Sequence, residues 1–175
     1  MNIKEIYSYD NPSFSPLRNP ARDVVKAYQD AARFFDTAQE YVYIEQGMQN
    51  LAKVIHENAH RFPKRFDVFI DMLHERHLMG EYPETPELDW KEELKSVDDV
   101  FSFLLRVLEN IQNALEEFHR VTDTATFRPM ALKTEELMLE NSENFIPYLE
   151  MWSRWDADGG SKTSFDSWCE KYLEK

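Results

Sequence analysis

One cysteine, four glycines and no membrane-length apolar run constrain this 175-residue sequence before any motif is read. With Cys169 alone, no intramolecular disulfide and no cysteine-based zinc knuckle can form. Disulfide staples mark small secreted domains, so a cytoplasmic setting is expected. Four glycines are too few for the many tight turns of an all-β fold. No stretch approaches the ~20 apolar residues of a membrane helix. The opening MNIKEIYSYDNPSF has no basic head followed by an apolar region, so it does not read as a secretory signal. Basic residues are also scarce, 20 Lys and Arg against 33 Asp and Glu, for a net charge of −13. Direct nucleic-acid binding is not expected, because a phosphate backbone calls for Lys and Arg. The balance suits a solvated acidic face, a cation binder, or a surface that engages a basic protein partner.

Rings are abundant: 12 Phe, 8 Tyr and 4 Trp can fill the core of one domain. Residues 1–20 carry Pro12, Pro16 and Pro20 and read as an arm, with a single helical domain over 21–175. From Ala21, Val24, Tyr28, Ala31, Phe35, Ala38, Val42, Met48, Leu51 and Ile55 keep helical spacing. That predicts a first helix reaching about His60, with Gly47 its weak point. Pro63 fits the first turn of a second helix, whose inner side holds Phe62, Phe66, Phe69, Leu73 and His77 and which Gly80 closes.

Residues 81–95 form the one long connection, held extended by Pro83 and Pro86 before a short helix. Ser96 caps a third helix to about Val121, with Val100, Phe103, Leu104, Val107, Leu108, Ile111, Leu115 and Phe118 on its apolar face. A fourth runs from about Thr126 to Trp155, kinked at Pro147, with Leu132, Leu137, Leu139, Ile146 and Leu149 as apolar positions. A short helix from Ser164 to Leu173 follows the glycine turn at 156–161. The expected fold is an all-α four-helix bundle. Its 15-residue connection spans roughly 50 Å, enough to let the second and third helices run parallel.

Two metal-binding patterns stand out. His56-Glu57-Asn58-Ala59-His60 has the His-Glu-x-x-His spacing that places two imidazoles on one helical face, with Glu57 as general base for a zinc hydrolase. Its third ligand would come from His74, Glu75 or His77. The pattern is short, and a chain rich in His and Glu also produces it by chance. Helical bundles instead build carboxylate centres from inward acids on two helices and Glu-x-x-His units on the others. Asp71-x-x-His74 has that spacing on the second helix, and Glu140-x-x-Glu143 is its carboxylate version on the fourth. Glu109 lies on the third helix, and Asp36, Glu40 and Glu45 on the first. With the first turn placed near 59–62, Glu45 stands at the depth of Asp71 and His74, and Asp36 lies farther off. A solvated face is the competing reading for each acid.

The sequence resembles the ferritin superfamily over about Ala38 to Trp155. Ala38-Gln-Glu-Tyr-Val-Tyr-Ile44 is similar to the first ferritin helix, and Asp71-Met-Leu-His-Glu-Arg-His-Leu-Met79 to the second. Leu108-Glu-Asn-Ile-Gln-Asn-Ala-Leu-Glu-Glu-Phe-His-Arg120 is similar to the third, and Leu139-Glu-Asn-Ser-Glu143 to the fourth. The short C-terminal helix is similar too. The resemblance implies a centre of iron or manganese, held here by Glu45, Asp71, His74, Glu109, Glu140 and Glu143. It also implies oxidation of Fe(II) and assembly into a homo-oligomer. The sequence departs from the pattern where Asp71 replaces glutamate and where Leu108 occupies the third-helix ligand position. The alternative is a non-catalytic acidic bundle that engages a basic partner, marked by carboxylates outside and apolar side chains within.

Overall fold

The computed structural model describes residues 14–76, 78, 82–83 and 90–173. Four rods make the bundle. The first is α1, Ser15–Ile44. The second is a broken pair, α2, Gln49–Ala59, and α3, Arg61–His74. After a short α4, Trp90–Glu93, come α5, Val97–Thr122, and α6, Arg128–Ala157. A small α7, Lys162–Cys169, and a 3₁₀ turn over Glu170–Tyr172 close one end.

The first rod ends earlier than the periodicity predicts. Gly47 takes φ 70°, a left-handed conformation that side-chain-bearing residues avoid, and the chain reverses there. The buried spacing of Val42, Met48, Leu51 and Ile55 carries across the turn, because both rods face the same core. The first helix therefore does not reach His60. The start moves as well: Pro16 occupies the first turn and Pro20 lies inside α1, so 15–20 is helix rather than arm. Residues 1–13, His77 and Gly80 lie outside the described residues.

The second rod breaks at His60, the C-cap of α2 and N-cap of α3. Pro63 has no N–H to give, and its ring would collide with the Ala59 carbonyl if the helix ran straight through. The prolyl first turn expected of a new helix is there. α5 begins as the sequence indicates: Ser96 Oγ accepts from Asp99 N–H at 3.1 Å and donates to Asp99 Oδ2 at 2.8 Å.

Ring contacts fix the directions. Phe14 meets Phe127 at 5.9 Å and Phe34 meets Phe103 at 5.8 Å, so α1 and α5 are antiparallel. Phe35 touches both Phe62, at 4.6 Å, and Tyr148, at 5.7 Å. Phe69 meets Phe118 at 5.0 Å near one end, while α2 starts at the other, beside α7 and Phe101. The second and third rods are therefore parallel, the arrangement that requires a long crossing connection. At the closed end Asp98 accepts from Trp152 Nε1 at 2.9 Å and Trp155 Nε1 at 3.2 Å. There Asp166 Oδ1 also caps α2, accepting from Asn50 N–H and Leu51 N–H at 3.0 Å each. No helix among the described residues is long and apolar enough to cross a membrane.

A Cβ at position 47 would touch nothing within 4 Å, so the backbone alone sets the cost of replacing this glycine. Gly47→Ala is expected to lower unfolding free energy by about 1–2 kcal/mol, read as a lower urea midpoint at unchanged slope. An unchanged midpoint contradicts the assignment of the turn.

Candidate metal centre

Midway along the bundle, where inward side chains of four rods meet, the structure places no buried acid among the described residues. α5 turns Leu108 inward, fully buried, and Glu109 outward. On α6, Met130, Thr134, Leu137, Asn141, Asn144, Tyr148, Met151 and Trp155 are buried, at alternating steps of four and three. That spacing points Asn141 and Asn144 inward and leaves Glu140 and Glu143 one position aside, exposed. Tyr28 of α1 and Phe62 of α3 complete the layer, both 1% exposed.

Polar atoms in this layer are tied to one another. Asn141 Nδ2 donates to the Leu108 carbonyl at 3.0 Å and to Gln112 Oε1 at 3.2 Å. Arg65 Nε donates to Glu140 Oε2 at 3.1 Å, and Arg65 Nη2 reaches the Glu140 carbonyl at 3.4 Å. Burial pushes the Tyr28 phenol well above its ordinary range, with Arg65 opposing the shift and Glu140 adding to it. Tyr28 Oη, Arg65 Nη1 and Asn141 Oδ1 are buried without a protein partner, which suits a trapped water better than an ion.

The six candidate ligands do not converge. Glu45 is the C-cap of α1, in a cleft with Glu40, Tyr41, Gln46 and Lys95. Asp71 and His74 lie near the far end of the second rod, roughly 30 Å away at 1.5 Å per residue. The turn at Gly47 is the cause, since it moves Glu45 to the bundle end and removes the depth match with Asp71. Asp71 lines a groove with Val68, Glu75, Arg76 and Lys133. Glu109 is exposed on α5, Glu140 is held by Arg65, and Glu143 borders a groove with Asn58, Arg61 and Asn144. Asp36 and Glu40 are exposed as well. Among the described residues no group of three or more His, Cys, Asp or Glu is gathered to hold a metal ion.

A bundle diiron centre takes about four carboxylates and two imidazoles facing inward. The mid-layer offers a phenol held protonated, two amides and a guanidinium, whose charge repels a cation. This donor set does not fit such a centre. The signal in the sequence was the four-three spacing on α6, hidden because Thr134, Asn141 and Asn144 look like surface residues.

His56 and His60 are exposed neighbours on the second rod, their Nε2 atoms 3.0 Å apart and their rings nearly perpendicular. The His-Glu-x-x-His pattern lies in mid-rod rather than at the end of a first helix. His74, 14 residues beyond His60, is some 20 Å along the rod, so it does not complete a zinc site with them. Glu57 instead lines the groove with Asn58, Arg61 and Glu143. Cys169 is fully buried, and burial pushes its thiol up to about 12, so it holds no nucleophilic thiolate at neutral pH.

This topology, two parallel central rods joined by a crossing connection and a short helix at one end, defines the ferritin type of four-helix bundle. Two solved structures of the ferritin PmFTN superpose on the chain. One is a glutamate-to-histidine variant soaked in iron for 3 h, with TM-score 0.79 and 14% identity, covering 86% of this chain and 97% of its own. The other is a glutamate-to-alanine variant soaked in iron overnight, with TM-score 0.79 and 12% identity over 87% and 97%. The fold is ferritin-like. No family model and no curated protein matches the sequence significantly.

Asn141→Ala removes two hydrogen bonds and opens a small hole. It is expected to cost about 1–3 kcal/mol of unfolding free energy, measured by denaturant unfolding. A loss under about 0.5 kcal/mol contradicts the mid-layer's structural role.

Proposed function

We propose that this ferritin-like bundle is non-catalytic and acts through its acidic outer surface, engaging a basic, amphipathic protein partner. The absence of inward acids from the mid-layer, among the described residues, carries this reading. Tyr28, Phe62, Leu108 and Asn141 stand where a bundle metalloenzyme concentrates its acids, while no acid among the described residues is buried. The outer face of α6 supports it further. Leu132, Leu139 and Ile146, 46–64% exposed, form a ridge at seven-residue spacing with Glu135, Glu136, Glu143 and Glu150 beside it. An apolar ridge among carboxylates fits a partner helix that pairs apolar side chains with Lys and Arg.

A second reading keeps iron, favoured by the likeness to ferritins whose crystals were soaked in it. In this reading Fe(II) or manganese is cargo at surface carboxylates such as Asp71 and Glu75, and the bundle assembles with copies of itself into a larger body.

Iron content and oxidation separate the two. Protein purified without chelators is expected to carry less than one iron per chain. Fe(II) added in air should then oxidise no faster than in buffer. Two bound irons per chain with accelerated oxidation, both lost in Asp71→Ala or His74→Ala, would establish the second reading and end the first.

A further inference from the structure

The histidine pair on the second rod has the geometry of a metal chelate in its own right. His56 and His60 lie one turn apart, both exposed, with Nε2 atoms 3.0 Å from each other. One imidazole now donates to the other. Two nitrogens at that separation, each about 2.05 Å from one ion, subtend about 94° at the metal. Cis ligands of a tetragonal or octahedral ion subtend about 90°, whereas a tetrahedral pair, at about 109°, would stand near 3.3 Å apart. The observed spacing is closer to the tetragonal value. Imidazole nitrogen is a preferred donor for late first-row metals, and Cu(II) and Ni(II) favour that geometry.

We propose that His56 and His60 form an exposed bidentate site for one divalent late transition metal, selective in the order Cu(II) over Ni(II) over Zn(II). Water fills the remaining positions. The hydrogen bond between the two imidazoles is given up when both nitrogens turn their lone pairs to one ion. The site differs from a zinc hydrolase in two ways. Glu57 turns toward the groove it shares with Arg61, and no third protein ligand among the described residues joins the pair. Its position gives the ion a mechanical effect. His60 is the cap shared by α2 and α3, and its N–H reaches the His56 carbonyl at 3.3 Å. An ion bridging the two side chains therefore clamps the last turn of α2 at the break imposed by Pro63.

The test is calorimetric titration of the full chain with CuSO₄, NiCl₂ and ZnCl₂ in non-coordinating buffer, with thermal unfolding alongside. One Cu(II) is expected per His56–His60 pair, with nitrogen hyperfine structure from two equatorial imidazoles in the paramagnetic resonance spectrum. His56→Ala and His60→Ala should each weaken that equivalent at least tenfold and abolish the metal-induced rise in Tm. Glu57→Gln should leave both intact. Circular dichroism of each variant shows whether the bundle is retained. Cu(II) binding unchanged in both folded single variants, or a spectrum with one imidazole, overturns the proposal. So does an equal loss in Glu57→Gln, which would restore a hydrolase-type site.

Discussion

A carboxylate enclosed between helices loses its water and must be repaid by a metal ion, a cation or several hydrogen bonds. With 33 acidic residues in 175, this chain has to keep its acids out of the interior or compensate each one. It does the former. Among the described residues, the buried polar side chains are Thr122, Thr134, Asn141 and Asn144, all neutral. The hydroxyls of both threonines bond to carbonyls of their own helices, and Asn141 bonds to α5. The interior is otherwise aliphatic and aromatic, with Phe34, Phe35, Phe62, Phe69, Phe101 and Phe118 exposed by 1% or less.

The remaining architecture follows from sealing that core. Parallel second and third rods let Phe69 reach Phe118 while α7 closes the opposite end through Phe165 and Asp166. Arg65, a charged group that approaches the middle, is only 13% exposed in its side chain and is held by Glu140 at the surface. That pair takes the space between α3 and α6 and places a positive charge beside Tyr28. The chain departs from regular helix at the reversal at Gly47, the break at His60 and the turn at Gly159 and Gly160 after α6.

Some of this was legible in the sequence. α5 could be read nearly residue for residue, because Val100, Leu104, Leu108, Ile111, Leu115 and Phe118 are apolar at helical spacing and Ser96 is a strong cap. The parallel second and third rods could be expected from the 15-residue length of the connection 81–95, most of whose first half lies outside the described residues. Two features were not legible, for physical reasons. The apolar period runs through Gly47 without interruption, since residues on both sides of the turn face one core, so the turn looked like a weak point in a longer helix. On α6 the buried stripe contains Thr and Asn while Leu132, Leu139, Ile146 and Leu149 face out, which reverses the usual guide of polarity. Searching for metal ligands by charge selected Glu109, Glu140 and Glu143, whose neighbours Leu108, Asn141 and Asn144 are the inward residues.

A ferritin-like fold without a carboxylate layer separates scaffold from chemistry, as expected when function resides in sites rather than folds. In the proposed reading, the outer surface, with its acidic faces and the α6 ridge, is where this chain meets its partner. The central claim, that the middle of the bundle is a packed layer with no inward acid rather than a metal centre, is open to a direct test. Crystals soaked in Fe(II) and measured at the iron absorption edge should show no anomalous peak among Tyr28, Phe62, Leu108 and Asn141. Ordered iron at that layer, bonded to inward side chains, would contradict the account.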